Sequence, residues 1–416
     1  MAENNMIVGL DIGTTKISVI IAELTPEGGA NIVGVGFCPS TGIRRGVVVN
    51  IDKTTEAIEK AIEEAERMAG VEVSSVYAGI AGDHIRSINS KGVIAVSREK
   101  GRSQPNEITE KDVDRVIEAA KAVALPIDRE VLHVLPQEYI VDDQDGIKDP
   151  IGIAGVRLEA DVHIITGAVT SAQNIYRCVK RTGISVRDLV LEPLASSYAV
   201  LTEDEKELGV GLIDFGGGTT DIAIFSNGSI RHTSVIGFGG EYVTRDIAMG
   251  LKTPLEQAEI IKLEHGCALE SRARDDQVIS IPGVGGRAPR EVSRSVLASI
   301  IQPRVQEIFE LALHEIRQSG CYDLLTTGIV LTGGGALLDG VDELAEEVTG
   351  LPVKIGRPAG LGGLMKTADS PVHSTAVGLV LYGMAHGDQI DVFRGDDSKV
   401  FQKIFRRMIQ WFEDFF

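Results

Sequence analysis

IVGLDIGTTKISVII (7–21) and GLIDFGGGTTDIAIF (211–225) decide how this chain is read. Each is an apolar run, an aspartate, a Gly-Thr turn and a second apolar run. That pattern predicts two strands joined by a tight turn, the first pair over residues 6–23. Short repeats of about 20–50 residues build solenoids. One repetition at about half-chain distance predicts instead two lobes that share a fold. Strand and helix signals alternate through the rest, so the fold class is α/β. Asp52 is the expected cap of a helix over 52–69, where Ala57, Ile58, Ala61, Ile62, Ala65 and Met68 recur at helical spacing. Thr109 with Asp112 reads as an acidic capping box. Residues 296–318 form a long amphipathic pattern with Val305, Ile308, Phe309, Ala312 and Ile316 on one side. Residues 271–294, rich in Arg, Gly and Ser, are expected to include a mobile loop.

The two turns carry the residue types that a nucleotide phosphate needs. Gly13 and Gly216, Gly217 and Gly218 have no side chain to hold a phosphate away from backbone N–H donors. Thr14, Thr15, Thr219 and Thr220 add hydroxyls, and Lys16 adds a point charge for a β- or γ-phosphate oxygen. Asp11 and Asp214 each end a buried strand, where they can hold Mg²⁺ through its waters, because that ion dehydrates reluctantly. The bland reading is two ordinary hairpins whose Asp and Thr residues cap turns. A third glycine element, GIVLTGGGALLDGV (328–341) with Gly333, Gly334 and Gly335, reads as strand, glycine turn and helix, and suits backbone approach to a nucleotide at a helix N-terminus.

Composition limits the alternatives. A chain of 416 residues exceeds one ordinary core, so two or more domains are expected. With 43% apolar residues those cores can be sizeable. A net charge of −19 does not suit generic nucleic-acid binding, which needs Lys and Arg to replace phosphate counterions. Cys38, Cys178, Cys267 and Cys321 show no metal spacing and no disulfide framework. The histidines show no ligand spacing either. The start, MAENNMIVGL, lacks a basic region followed by a long apolar stretch, and no run approaches the roughly 18 apolar residues of a membrane span. A reducing cytoplasm is the expected home.

DIGTTK, EPLASS (192–197), DFGGGTTDIA, LTGGGALLDG and STAVGLVLYG (374–383) follow one another in a fixed order. In that order they resemble the first phosphate motif, first connecting helix, second phosphate motif, adenosine motif and second connecting helix of the actin, sugar-kinase and heat-shock-chaperone ATPase superfamily. The resemblance covers about residues 7–386. RHTSVIGFGGEYVTRDIAMGLKTPLEQAEIIKLEHGCA (231–268) and EPLASSYAVL further resemble the bacterial cell-division FtsA family. That resemblance implies a duplicated actin-like (ribonuclease H-like) two-lobe ATPase fold. Residues 1–83, 165–195 and 370–386 would form the first lobe's core, and 84–164 an inserted subdomain in place of actin's small one. Residues 196–235 and 305–369 would form the second lobe's core, and 236–304 its small subdomain. It implies ATP and Mg²⁺ as ligands, actin-like self-assembly, and recruitment of the tubulin-like protein FtsZ to the membrane, with other division proteins at 84–164. The C-terminal peptide of FtsZ would dock on 236–304, where Arg290, Arg294 and Arg304 could meet its acidic groups. Glu192 would occupy the place where superfamily members position a water for γ-phosphate attack, with Asp214 as its catalytic partner; capping of the connecting helix is the plain alternative. Glu259 and Lys262 match the pattern around the adenosine, or form a solvated i, i+3 pair. Catalysis is expected to be at most a slow ATPase.

KVFQKIFRRMIQWFEDFF (399–416) ends the chain. At about 100° per residue, Val400, Phe401, Ile404, Phe405, Met408, Ile409, Trp411, Phe412, Phe415 and Phe416 share one half of the helical wheel. The polar residues, with Lys399, Lys403, Arg406 and Arg407 among them, fill the other. An aromatic face beside a basic one predicts a helix lying in an anionic membrane interface, and the polar stretch 387–398 a linker. Docking on the protein's own core or on a partner is the alternative. The expected location is the cytoplasmic face of the inner (cell) membrane, as a peripheral protein. A small-molecule kinase on the same fold would explain the two phosphate turns but gives this helix no role. A pilus-assembly adaptor would not need it.

Overall fold

The computed structural model describes residues 5–97, 106–274, 276–282 and 289–386. Both quoted repeats are antiparallel hairpins. Met6–Ile12 pairs with Lys16–Leu24, and Val210–Phe215 pairs with Thr220–Ser226. All of their central residues are buried, as expected of strands covered on both faces.

Each hairpin seeds a sheet of the same topology. In the first, Ala30–Pro39 continues the meander beyond Lys16–Leu24, while Ser75–Ile80 and Ser185–Leu191 add in parallel on the other side of Met6–Ile12. In the second, Ser229–Ile236 extends the meander, and Ile329–Thr332 and Val353–Ile355 add in parallel. The repeat seen in the sequence is therefore a duplicated five-strand unit. The short strand Gly362–Gly363 adds to the outer edge of the first sheet only.

The two sheets accept different insertions. Between Ser75–Ile80 and Ser185–Leu191 the first lobe inserts a four-stranded sheet, ordered Gln144–Ile147, Arg129–Val141, Arg157–Ala168, Arg86–Ala95. The helix Glu110–Lys121 packs on it, and Val116, Ala120, Tyr139, Leu158 and Val162 lie in a separate core. Asp112 accepts from the Thr109 backbone N–H at 3.1 Å and from its hydroxyl at 2.7 Å, which is the acidic cap read from the sequence. The second lobe inserts helices Gly240–Leu251 and Leu255–His265, the ribbon Val278–Ile281 with Arg290–Ser293, and the helix Arg294–Gln318. The ribbon replaces part of the loop expected over 271–294. Val305, Ile308, Phe309, Ala312 and Ile316 are buried on one side of the long helix.

The helix Ile51–Ala69 is capped by Asn50, whose side chain accepts from the Lys53 N–H, and not by Asp52, which lies in the first turn. Two helices join the lobes, Glu192–Val200 and Ser374–His386. They cross so closely that a Cβ on Gly378 would lie 1.9 Å from the Ala195 carbonyl oxygen. Apolar residues of both sheets, Leu10 and Leu212 among them, join one core around these helices. The inserted sheet also touches lobe 2. Ser87 donates to the Thr233 carbonyl at 2.8 Å, Gln137 to the Ile230 carbonyl at 2.8 Å, and His163 Nε2 lies 3.0 Å from Thr233 Oγ1. The expected tail helix 399–416 and linker 387–398 lie outside the described residues.

Candidate functional site

Both hairpins have the same register. Asp11 faces Ser18 and Asp214 faces Asp221, so seven positions separate each pair (18 − 11 = 7; 221 − 214 = 7). Both turns are equally tight. A Cβ on Gly13 would lie 2.9 Å from the Lys16 carbonyl oxygen, and one on Gly216 would lie 3.0 Å from that of Thr219. This register places Lys16 and Thr219 at equivalent positions.

The turns meet across the cleft between the lobes. A Cβ on Gly217 would lie 2.5 Å from Thr15 Cγ2, and one on Gly218 would lie 2.4 Å from Thr14 Oγ1. Glycine is what lets the Thr14 and Thr15 side chains come so near the backbone of the second turn. Thr14 Oγ1 accepts from the Gly46 N–H at 3.0 Å. Lys16 Nζ lies 3.4 Å from Asp11 Oδ2 and also donates to the Val372 carbonyl. Two of the four threonines are committed inside lobe 2. Thr219 donates to Asp221 Oδ2 at 2.9 Å, and Thr220 donates to the Phe238 carbonyl at 2.8 Å. Thr220 thus belongs to the strand, and its hydroxyl is turned from the cleft role expected of it.

Four carboxyl groups gather behind these turns. Burial, the largest influence on each, raises them all, because an anion loses its hydration there. Asp11 is raised by burial and held back by Lys16. Asp214 is pushed up to about 6, with Ser196 and Lys16 opposing burial and Asp11 adding to it. Asp221 is pushed up to about 8 by burial and then by Asp214. Glu192 is raised well above its ordinary value by burial and by the charges of Asp11, Asp221 and Asp214. Ser196 Oγ donates to Asp214 Oδ2 at 2.8 Å, and Thr375 Oγ1 lies 3.4 Å from the same atom, so both connecting helices touch this carboxylate. Glu192 opens the first of them, after Leu191 at the cap position, and packs against Gly79, where a Cβ would lie 3.1 Å from its Cγ.

The sequence pattern does not single out Asp221, although the second repeat contains it. Its Oδ1 is buried without a hydrogen-bond partner. An orphaned carboxylate oxygen among other acids fits a hydrated dication, which would lower all four groups together. Among the described residues no three Asp, Glu, His or Cys side chains stand close enough to bind an ion directly.

The remaining predicted residues surround the second turn. Gly333, at φ 84°, packs on Asp214, and a Cβ there would lie 2.3 Å from Oδ1. Gly335 lies against the face of Phe215, and Gly334 faces open space. The segment after this turn is a 3₁₀ turn, Gly334–Leu337, and the α-helix begins only at Val341. The glycines therefore do not form the helix N-terminus read from the sequence. Lys262 Nζ pairs with Glu259 Oε2 at 2.8 Å and donates to Thr244 Oγ1 at 2.9 Å and to the Gly240 carbonyl at 3.1 Å. Thr244 in turn donates to Glu259. The i, i+3 pair exists, but it also ties its helix to the backbone beside the second turn. Of the three arginines expected to face a partner, Arg294 is bound to Asp339 at 2.8 Å and Arg304 to Asp246 at 2.6 Å. Arg290 is exposed.

Two sheets of one topology, crossing helices between them and a carboxylate hairpin at the same place in each define the actin-like two-lobe class. Solved structures share this fold. That of the PilM-PilN type IV pilus biogenesis complex matches with a TM-score of 0.67 and 15% identity, covering 91% of this chain and 98% of that one. The crystal structure of MreB5 of Spiroplasma citri bound to ADP matches with a TM-score of 0.55 and 15% identity, covering 98% and 99%. Sequence relatives are far nearer. The cell division protein FtsA of Pseudomonas aeruginosa is 51% identical over 379 residues, 91% of this chain and 89% of the relative. That of Escherichia coli K12 is 45% identical over 92% of this chain and 91% of its own length, and that of Bacillus subtilis is 41% identical over 92% and 84%. Family profiles agree: cell division protein FtsA matches residues 211–378, and the SHS2 domain inserted in FtsA matches 82–166. The chain belongs to the FtsA family of actin-like cell-division proteins.

Proposed function

We propose that this chain binds Mg-ATP between its lobes, assembles with copies of itself into an actin-like filament at the membrane, and tethers FtsZ there. The observation that carries the nucleotide reading is the meeting of the two hairpin turns, Thr14 and Thr15 against Gly218 and Gly217, in front of four raised carboxyl groups. Gly13, Thr14, Thr15 and Lys16 beside Asp11 would hold the phosphates from lobe 1, and Gly216, Gly217, Gly218 and the backbone N–H of Thr219 from lobe 2. Mg²⁺ would sit on Asp11, Asp214 and Asp221 through its waters, neutralising phosphate charge. Glu259, Lys262 and Gly333–Gly335 would flank the adenosine. Glu192 would orient a water, which at most supports slow hydrolysis. MreB5, which shares the fold, was solved with ADP.

Nucleotide that bridges the turns would favour one lobe arrangement and so one filament contact. The basic, aromatic face of 399–416 would hold each subunit weakly on anionic lipid, and a filament would multiply that attachment by roughly 10²–10⁴. The cytoplasmic face of the inner membrane is the proposed location. Among the described residues no helix is long and apolar enough to cross a membrane. The C-terminal peptide of FtsZ would dock on 236–304, with Arg290 the arginine open to its acidic groups, and other division proteins on 84–164. Capture of that peptide by the ATP-loaded full chain tests the tethering role. Protein that binds ATP and captures no peptide would remove it.

A further inference from the structure

Ile43–Arg44 and Val47–Val48 form a minimal hairpin whose tip is Arg45 and Gly46. Both tip residues have positive φ, 50° at Arg45 and 73° at Gly46. Two-residue hairpins of this hand favour Asn, Asp or Gly. Gly46 is required sterically, since a Cβ there would lie 2.8 Å from Gly82 Cα. Arginine at the first position is a strained choice, and strain retained at one residue points to a role for its side chain.

The Arg45 guanidinium crosses to lobe 2. It donates to the Tyr242 hydroxyl and lies 5.6 Å from the centre of that ring. Arg245 and Arg304 also approach the ring, at 5.2 and 5.8 Å, but each has its own carboxylate, Glu241 and Asp246. Among the described residues Arg45 pairs with no carboxylate. Tyr242 sits in the first turn of the helix Gly240–Leu251. That turn hangs on the second hairpin, because the Gly240 and Glu241 N–H groups donate to the Gly216 and Gly217 carbonyls at 3.0 and 2.8 Å. On the other side of the tip, the Gly46 N–H holds Thr14 Oγ1 at 3.0 Å. Two adjacent residues thus join the first turn to the helix carried by the second.

We propose that Arg45 is a positioning residue that latches lobe 1 to lobe 2 beside the nucleotide cleft and transmits movement of Thr14 to the helix Gly240–Leu251. The role in nucleotide response rests on the reading of the cleft given above. A hydroxyl has one proton and two acceptor sites, so Thr14 can accept from Gly46 and still donate to a phosphate. A phosphate entering between Thr14 and Gly218 must part them. Thr14 then moves the hairpin tip, and Arg45 moves Tyr242.

The test uses the full chain with Arg45→Gly, Tyr242→Ala and the double variant. Arg45→Gly relaxes the left-handed turn, so it removes the latch without threatening the fold. Calorimetry is expected to give roughly tenfold weaker ATP binding in each variant, with the double no worse than either single. Hydrogen exchange is expected to show that ATP slows residues 240–251 in the wild type and not in the variants. Wild-type ATP affinity and wild-type protection in Arg45→Gly would overturn the latch. If the wild type itself binds no ATP, the nucleotide reading falls and the latch is judged without nucleotide. Faster exchange of 240–251 in Arg45→Gly then supports it, and an equal rate overturns it.

Discussion

Asp214 and Asp221 face each other across the second hairpin, and the charge of the first adds to burial in pushing the second up to about 8. In the first hairpin the corresponding pair is Asp11 and Ser18. The duplication is therefore chemically uneven: lobe 2 carries the extra acid and lobe 1 the lysine.

This pair gives the free protein a pH signature. A carboxyl group whose pKa is higher folded than unfolded binds more protons in the native state between the two values. Its contribution is full below the unfolded value of about 4 and is lost as pH rises through the folded one. For Asp221 that window runs from the ordinary value of 3.8 to about 8. Asp221→Asn has no such loss. Its melting temperature minus that of the wild type should rise steadily across this window when scanned without nucleotide. A difference that stays flat would remove the buried, protonated Asp221.

Gly333→Ala should cost about 1–3 kcal/mol from its left-handed backbone alone. It should also displace Asp214, whose Oδ1 would lie 2.3 Å from the new Cβ. Denaturant melts together with ATP titration read both effects. An alanine variant of wild-type stability and affinity would contradict the packing of Gly333 on this carboxylate.

The tail makes a prediction from sequence alone. Trp411→Glu places a charge on an otherwise unbroken apolar face of 399–416. Flotation with anionic vesicles should fall on the order of tenfold. Unchanged flotation would assign membrane attachment to another part of the chain.

Much of this was legible beforehand because the signals are local. A strand, an Asp and a Gly-Thr turn predict a hairpin wherever they fall, and their repetition predicts the duplicated sheet. Helical spacing likewise located Ile51–Ala69 and the buried face of Arg294–Gln318. What escaped depends on register and partners. Asp221 becomes a site residue only once the hairpin register sets it opposite Asp214. Thr220 looked like Thr219 until Phe238 took its hydroxyl. Arg294 and Arg304 looked like partner contacts because their acids, Asp339 and Asp246, lie 45 and 58 positions away. Asn50 and Asp52 are both good caps, and only the backbone at the helix start chose between them.

Titration of the full chain with Mg-ATP by calorimetry, beside Asp214→Ala, tests the central claim most directly. The account predicts saturable binding by the wild type and none by the variant, because Asp214 ties the second turn to both connecting helices and would hold the ion. Equal nucleotide affinity in the two proteins would contradict it.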